Sequence, residues 1–293
     1  MNAQLPTTPD TTPLAIICGA GSLPFAVADA AVRGGRRVVL FALKGAADAE
    51  RMTGYPHHWV RVGQFGSIRR IARAEGCRDV VFIRSMIRPT IRQLWPDFTT
   101  LFLVPRLIRL LRGGDNRLLL GVTEIFEENG FRLIGADQVA PEIRMPRGAL
   151  GRRAPIDRDW VDIKCGLALL RATGPFDVGQ AVVVADNRIL AMEAAEGTDE
   201  MLAHLAEMRR NGRVRSPVGV GVLVKAPKPG QDLRVDLPAI GPATIEGVVN
   251  AGLAGIAVMA GSAIVAEAER MAAVADNAKI FVIGVDADGT RDA

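Results

Sequence analysis

The feature that most constrains this chain is the apolar run Leu14-Ala-Ile-Ile-Cys18, closed by Gly19-Ala-Gly21-Ser22-Leu23-Pro24 and followed by a helix-like stretch, Phe25 to Arg33. A second apolar run, Arg37 to Ala42, comes next, so the order is strand, glycine turn, helix, strand. Runs at Val80–Ile83 and Phe131–Ile134, separated by helical stretches such as Ile68–Glu75 and Leu118–Asn129, continue the alternation expected of a parallel sheet. The expectation is an α/β chain with a Rossmann-like parallel sheet in an N-terminal domain, residues 14–145.

Between Pro141 and Asp159 the composition turns to Pro, Gly and Arg without sustained periodicity, which places a linker at 146–159. Beyond it the pattern predicts a helix at 160–172, strands at 181–185 and 189–193, and a helix at 199–211. Strands at 218–225 and 256–259, a helix at 263–276 and a last strand at 280–285 follow. The C-terminal domain, 160–293, is therefore a second α/β unit and the expected catalytic one.

Composition narrows the class. With 293 residues and 49% hydrophobic content the chain can bury two cores. No stretch approaches the roughly 20 apolar residues of a membrane span. Residues 1–13 are polar and rich in Pro and Thr, which reads as a flexible leader rather than a signal peptide, and a cytoplasmic setting is expected. The three cysteines (Cys18, Cys77, Cys165) and three histidines (His57, His58, His204) form no ligand spacing, so any metal is expected on oxygen donors. The first 150 residues carry 20 Lys and Arg against 13 Asp and Glu, while the remainder carries 16 against 19. Of these bases 31 are Arg, whose planar fork suits phosphates and anionic surfaces, although compositional bias gives the same count. Aromatics at 5%, without a basic block interleaved with them, argue against nucleic acid.

Three motifs can carry chemistry. The glycine turn lacks the third glycine of a dinucleotide fingerprint, since Pro24 stands there, and no acidic residue closes the second strand. NAD is therefore not expected, but backbone N–H groups at a helix start suit a phosphate, making Gly19, Gly21, Ser22 and Leu23 candidate substrate contacts. A plain tight turn reads equally from the same residues. The densest cluster is Lys225-Ala-Pro-Lys228-Pro-Gly-Gln231-Asp232-Leu-Arg234-Val-Asp236, at a strand exit where Pro and Gly forbid helix. Mixed charge there fits an anionic substrate with a metal, carboxylates holding Mg²⁺ and cations offsetting phosphate charge, or else a solvated loop with local ion pairs. Asp177 to Gln180 and Glu193 to Asp199 supply comparable groups, although Thr198 or Asp199 also suits a helix cap. Finally, Leu101 to Arg112 sets Arg106, Arg109 and Arg112 at three-residue spacing on an apolar helix, which fits either an anionic membrane or ordinary packing with Arg in solvent.

In order along the chain, Gly-Ala-Gly-Ser-Leu-Pro (19–24), Gly-Gly-Asp-Asn (113–116), Asp-Val-Gly-Gln-Ala-Val-Val-Val (177–184), Glu-Gly-Thr-Asp-Glu-Met (196–201), Lys-Pro-Gly-Gln-Asp-Leu-Arg-Val-Asp-Leu-Pro (228–238) and Ala-Gly-Leu-Ala-Gly-Ile-Ala (251–257) resemble one family. It is the UDP-2,3-diacylglucosamine pyrophosphatase family of lipid A biosynthesis, the type unrelated to calcineurin-like phosphoesterases. The resemblance implies hydrolysis of UDP-2,3-diacylglucosamine to UMP and 2,3-diacylglucosamine 1-phosphate with Mg²⁺, in a cleft between two domains. Asn116 departs from the family's Gly-Asp-Asp stretch.

On this reading Asp232, Asp236 and Asp199 are the carboxylates at the metal or the attacking water, with Asp232 and Asp236 as metal ligands. Lys225, Lys228 and Arg234 hold the diphosphate, and Gln180, Thr198 and Gln231 are further substrate contacts. The partner is a lipid-nucleotide small molecule, with room for peripheral contact at the inner membrane through Leu101–Leu111 and for a homodimer. A non-catalytic nucleotide- or lipid-binding protein, or a transferase, would use the same residues.

Overall fold

The apolar runs become the strands of two separate sheets. The computed structural model describes residues 12–83, 95–111 and 115–291; most of the expected leader (1–11) and residues 84–94, 112–114 and 292–293 lie outside it. By internal packing the chain divides after Pro141 into two units, with one exchange: Asp232–Asp236 belongs with the N-terminal unit although its flanks belong with the C-terminal one.

In the N-terminal unit β1 (Leu14–Cys18) leads through the glycine turn into α1 (Leu23–Arg33) and β2 (Val38–Leu43). Then come α2 (Ala49–Met52), β3 (His57–Val60), α3 (Phe65–Ala74), β4 (Asp79–Ile83), α4 (Phe98–Leu111), α5 (Asp115–Glu128), β5 (Arg132–Leu133) and α6 (Ala136–Val139). The sheet order is β3-β2-β1-β4-β5, with every pairing parallel. All five β1 residues are buried, as a central strand covered on both faces requires. β3 was not legible as a strand because His57-His58-Trp59-Val60 is half polar; it forms as an edge partner of β2. Phe126 fixes α5 on the sheet, its ring centroid 4.9 Å from Phe65 and 5.0 Å from Phe82. Val235, from the exchanged segment, lies in this same core.

The C-terminal unit holds β6 (Gly148–Ala149), α7 (Asp157–Thr173), β7 (Ala181–Ala185), β8 (Arg188–Met192), α8 (Thr198–Arg210), β9 (Val222–Lys225) and β10 (Ala239–Ile240). It closes with α9 (Pro242–Asn250), β11 (Gly255–Met259), β12 (Ile264–Val265), α10 (Ala268–Ala278) and β13 (Phe281–Val285). Its main sheet runs β6-β13-β11-β9-β7-β8, parallel through β13, β11 and β9 and antiparallel at both edges; β10 and β12 form a separate parallel pair. Both units are thus α/β. Residues 146–159 contain β6 and the start of α7, so part of the stretch expected to be linker is an edge of this sheet.

Two other boundaries differ from the sequence reading for local reasons. β9 starts at Val222 rather than Val218, because Gly219 and Gly221 take φ of +79° and +101°, outside any strand. The helix expected from residue 263 starts at Ala268, because Ile264 and Val265 pair with Ala239 and Ile240. The β7–β8 hairpin turns on Asp186 and Asn187, both left-handed (φ 51° and 58°). Asp162, fully buried on α7, accepts their two backbone N–H groups at 3.2 and 2.6 Å.

Candidate functional site

The strand order of the N-terminal sheet places a switch point between β1 and β4, whose carboxyl ends are where open α/β sheets bind ligands. The glycine turn follows β1 at that edge. Gly19 is buried, while Gly21 is exposed at φ +93°, a conformation that favours glycine. Ser22 is the N-cap of α1, and its carbonyl accepts from Phe25 N and Ala26 N; its side chain makes no capping bond. Pro24 contributes no N–H, so the donors this turn can offer come from the backbone of Gly21, Ser22 and Leu23.

The exchanged segment reaches the same edge, since a Cβ built on Gly135, just past β5, would lie 3.5 Å from Arg234 Cα. Here Asp232 and Arg234 form a fork. Arg234 Nε donates to Asp232 Oδ1 at 3.0 Å and Nη2 to Oδ2 at 2.7 Å, while Nη1 donates to Glu127 Oε1 at 2.8 Å. The guanidinium hydrogen bond holds the Asp232 carboxyl below the usual carboxylate range, and the same bond pushes Arg234 up. Asp236 is buried one turn along, its N–H donating to Asp232 O at 3.1 Å.

The other predicted residues gather in the C-terminal unit, at the carboxyl end of β9. The Lys225 ammonium, only 6% exposed, donates to Thr198 Oγ1 at 2.9 Å and to Ala239 O at 3.1 Å. Thr198 Oγ1 in turn donates to Glu193 Oε1 at 2.8 Å, and the second oxygen of Glu193 accepts from Gln180 N at 2.6 Å. Antiparallel pairing explains the convergence: Ala181 sits opposite Lys225, and Val182 opposite Met192, so the start of β7 and the end of β8 meet the exit of β9. Lys228 pairs with Asp177, and Gln231 Oε1 accepts from Lys228 N at 2.8 Å, bracing the Pro/Gly turn. Asp199 is exposed in the first turn of α8, beside Thr198.

A stretch that reads as one cluster is therefore split. Lys225, Lys228 and Gln231 belong with Gln180, Thr198 and Asp199, whereas Asp232, Arg234 and Asp236 belong to the N-terminal unit, the one that also holds the glycine turn. Glu193 and Glu127 escaped the sequence reading as partners. Glu193 was visible as an acidic residue at a strand end, but Glu127 meets Arg234 across 107 residues and left no local signal. Among the described residues no group of three or more His, Cys, Asp or Glu converges on a metal-sized site. Arg106, expected to face lipid phosphates, is instead taken up by Glu124 and Glu128 of α5, each at 2.7 Å. Arg112 lies outside the described residues, as does the side chain of Asn116.

Comparison with known proteins covers nearly the whole chain. The LpxI N-terminal domain family matches residues 13–143 and the LpxI C-terminal domain family residues 146–283. A curated relative, the UDP-2,3-diacylglucosamine pyrophosphatase LpxI of Caulobacter vibrioides, is 42% identical over 273 residues, 93% of this chain and 97% of the relative. Among solved structures, the UDP-glucose 4-epimerase of Thermus thermophilus in complex with NAD aligns over 95% of this chain and 88% of that one. Its TM-score is 0.32 at 12% identity, a likeness too low to transfer fold or ligand.

Proposed function

The chain belongs to the LpxI family, and from that premise we propose that it hydrolyses the pyrophosphate bond of UDP-2,3-diacylglucosamine, releasing UMP and 2,3-diacylglucosamine 1-phosphate in lipid A biosynthesis. The observation that carries this reading is the 42% identity to a named UDP-2,3-diacylglucosamine pyrophosphatase over 97% of that protein's length. The glycine turn at a parallel-sheet switch point supports the nucleotide part of it, in keeping with a Rossmann-like N-terminal unit.

Mg²⁺ fits the residues present on a limited condition. Asp232 and Asp236, one turn apart, are hard oxygen donors, and Mg²⁺ is commonly held by one or two carboxylates plus substrate phosphates and water. No larger protein cage exists among the described residues, and Asp232 already accepts two bonds from Arg234. Asp232 and Asp236 would hold the ion and the substrate would complete its shell; when bound, it offsets charge on the diphosphate.

The chain's own groups do the positioning. Arg234, fixed by Asp232 and Glu127, presents a guanidinium that needs no reordering to meet a phosphate oxygen. Lys225 is a buried ammonium aligned by Thr198 and Ala239, with Glu193 orienting the Thr198 hydroxyl. Lys228, Gln231, Gln180 and the backbone of Gly19, Gly21, Ser22 and Leu23 complete the proposed substrate contacts. Asp199, exposed beside Thr198, is the carboxylate assigned to the attacking water. We place the protein in the cytoplasm, with peripheral contact at the inner membrane and a homodimer as further parts of the proposal.

The test is direct. Purified protein given UDP-2,3-diacylglucosamine and Mg²⁺ in ¹⁸O-water should release UMP and 2,3-diacylglucosamine 1-phosphate, one of them labelled, and EDTA should stop the release. Binding without product would make it a carrier, and product only with an added acceptor would make it a transferase.

A further inference from the structure

Outside these clusters, an exposed apolar surface lies where α3 meets the start of α4. Phe98 and Phe102 are 77% and 75% exposed, with Trp95 at 58% and Leu101 at 52%. Four large apolar side chains in eight residues are more than scattered exposure, and a patch of this kind marks an interaction face. The patch is ordered: Phe98 and Phe102 meet edge to face at 5.3 Å, the Arg61 guanidinium lies 4.6 Å over the Trp95 ring, and Trp95 N donates to Val62 O at 3.0 Å. Its base is tight, because a Cβ on Gly66 would meet the Thr99 hydroxyl at 2.6 Å, so α3 and α4 cannot slide there without a cost.

Phe98 also lines a cavity of about 470 Å³ whose other walls include Arg69, Arg70 and Arg73 of α3, with Asp97 and Thr99. Arg69 and Arg73 are steadied by Asn129, the first on its side-chain oxygen at 2.8 Å and the second on its carbonyl at 2.9 Å; Arg70 is exposed. Asp97 does not cancel these cations by pairing with them. Its Oδ2 accepts from Ser67 N and its Oδ1 from the Thr100 N–H and hydroxyl, which also means the first turn of α3 is already capped.

We propose that Trp95, Phe98, Leu101 and Phe102, with Arg69, Arg70 and Arg73 sharing the cavity beside Phe98, form the face by which this protein docks on an anionic lipid surface. Aromatic side chains that enter the headgroup layer beside basic residues that meet lipid phosphates are the two parts such docking needs, and the charge fits that occupant specifically. This rests on the reading of the substrate as a diacylated lipid, but it moves the contact from Arg106, which is ion-paired, to α3.

The full chain is mixed with vesicles of phosphatidylcholine alone or with phosphatidylglycerol and sedimented at low and high salt. The parent should bind the anionic vesicles at least about tenfold more tightly, and salt should weaken that binding. R69Q/R70Q/R73Q should lose about a hundredfold on anionic vesicles, and F98S/F102S should lose binding to both. All three chains should release UMP equally from detergent-dispersed substrate, which doubles as the check that the variants fold. Failure of the parent in that last assay would sink the hydrolase reading, whatever the vesicles show. Equal binding of parent and variants at low salt, no preference for anionic lipid, or no vesicle binding with self-association abolished by F98S/F102S would each overturn the docking face; the last would assign it to a second copy of the chain.

Discussion

The two halves of Lys225–Asp236 are built on opposite principles. At its start, a nearly buried ammonium is passed along neutral and anionic partners, Thr198 and then Glu193, inside the C-terminal unit. At its end, Arg234 is 39% exposed and clamped between two carboxylates of the N-terminal unit, Asp232 and Glu127. The first arrangement fixes one positive charge where water cannot screen it; the second leaves the Arg234–Glu127 pair near solvent over a mostly buried Asp232 and fixes geometry instead. Cations close in sequence therefore sit in unlike surroundings, and under the proposed function Lys225 would serve charge recognition and the Asp232–Arg234 fork the orientation of reacting groups.

The largest expected effects test that division. Asp232→Ala and Asp236→Ala should each lower kcat by about 10²–10³ with little change in KM, because metal and water positioning act mainly in the transition state. UMP release in initial-rate assays measures both constants. A rise in KM alone would make this turn a binding element and erase the contrast with Lys225.

Lys225→Met should do the reverse, raising KM by about 10- to 100-fold, the worth of one charge-assisted hydrogen bond to an anionic substrate, with a smaller fall in kcat. Glu193→Gln sharpens the point. The amide can still accept from Gln180 N but leaves the Thr198 hydroxyl without its acceptor, at a cost of about 1 kcal/mol and about 2–4 °C in Tm. If KM rises in Glu193→Gln although Lys225 is intact, the relay as a whole positions the ammonium.

How much of this was legible in the sequence follows from the same contrast. Strands such as Leu14–Cys18 and Ala181–Ala185 are apolar throughout because both faces are covered, so composition alone reveals them. β3, β6 and β10 draw their place from neighbours and carry no such pattern. In the site, Lys225 and Thr198 could be shortlisted from residue type, but not their bond, which depends on the antiparallel return of β7 beside β9. Most hidden was the transfer of Asp232–Asp236 to the N-terminal unit. Val235 is buried in that unit's core and Arg234 pairs with Glu127 there, and nothing in the Pro/Gly-rich turn before them says which core the segment will enter.

Gly21→Ala probes the other element at the N-terminal edge. At φ +93° an added Cβ finds open space but a disfavoured backbone, so the cost should be about 1 kcal/mol of stability, read as a lower Tm. If the turn holds a phosphate through its N–H groups, KM should rise as well; an unchanged KM would reduce it to a strand-to-helix connection.

The smallest effect separates the units by acid. Among the described residues of the N-terminal unit four carboxylates are held below their ordinary values: Glu75 by its hydrogen bond with His58 and by Arg37, Glu128 by Arg106, and Asp232 by Arg234. Asp97 is the fourth, where burial acts upward but hydrogen bonds from Thr100 and Ser67 outweigh it. A carboxylate with a lowered folded pKa stabilises the fold above its unfolded value, and that contribution disappears as pH falls through the folded one. The window opens below 4.5 for Glu75 and Glu128 and below 3.8 for Asp97 and Asp232. Asp162 in the C-terminal unit has the opposite sign: burial pushes it above 3.8, against the pull of the Asn187 and Asp186 N–H groups. Its protonation on acidification therefore favours the fold, and the stabilisation fades only as pH rises through the shifted value. Acid should accordingly loosen the N-terminal unit first. Brief pepsin digestion at about pH 3 should release peptides from residues 14–83 before any from 181–285, whereas equal rates from both would show that these ion pairs, several of them solvent-exposed, do not set the acid limit.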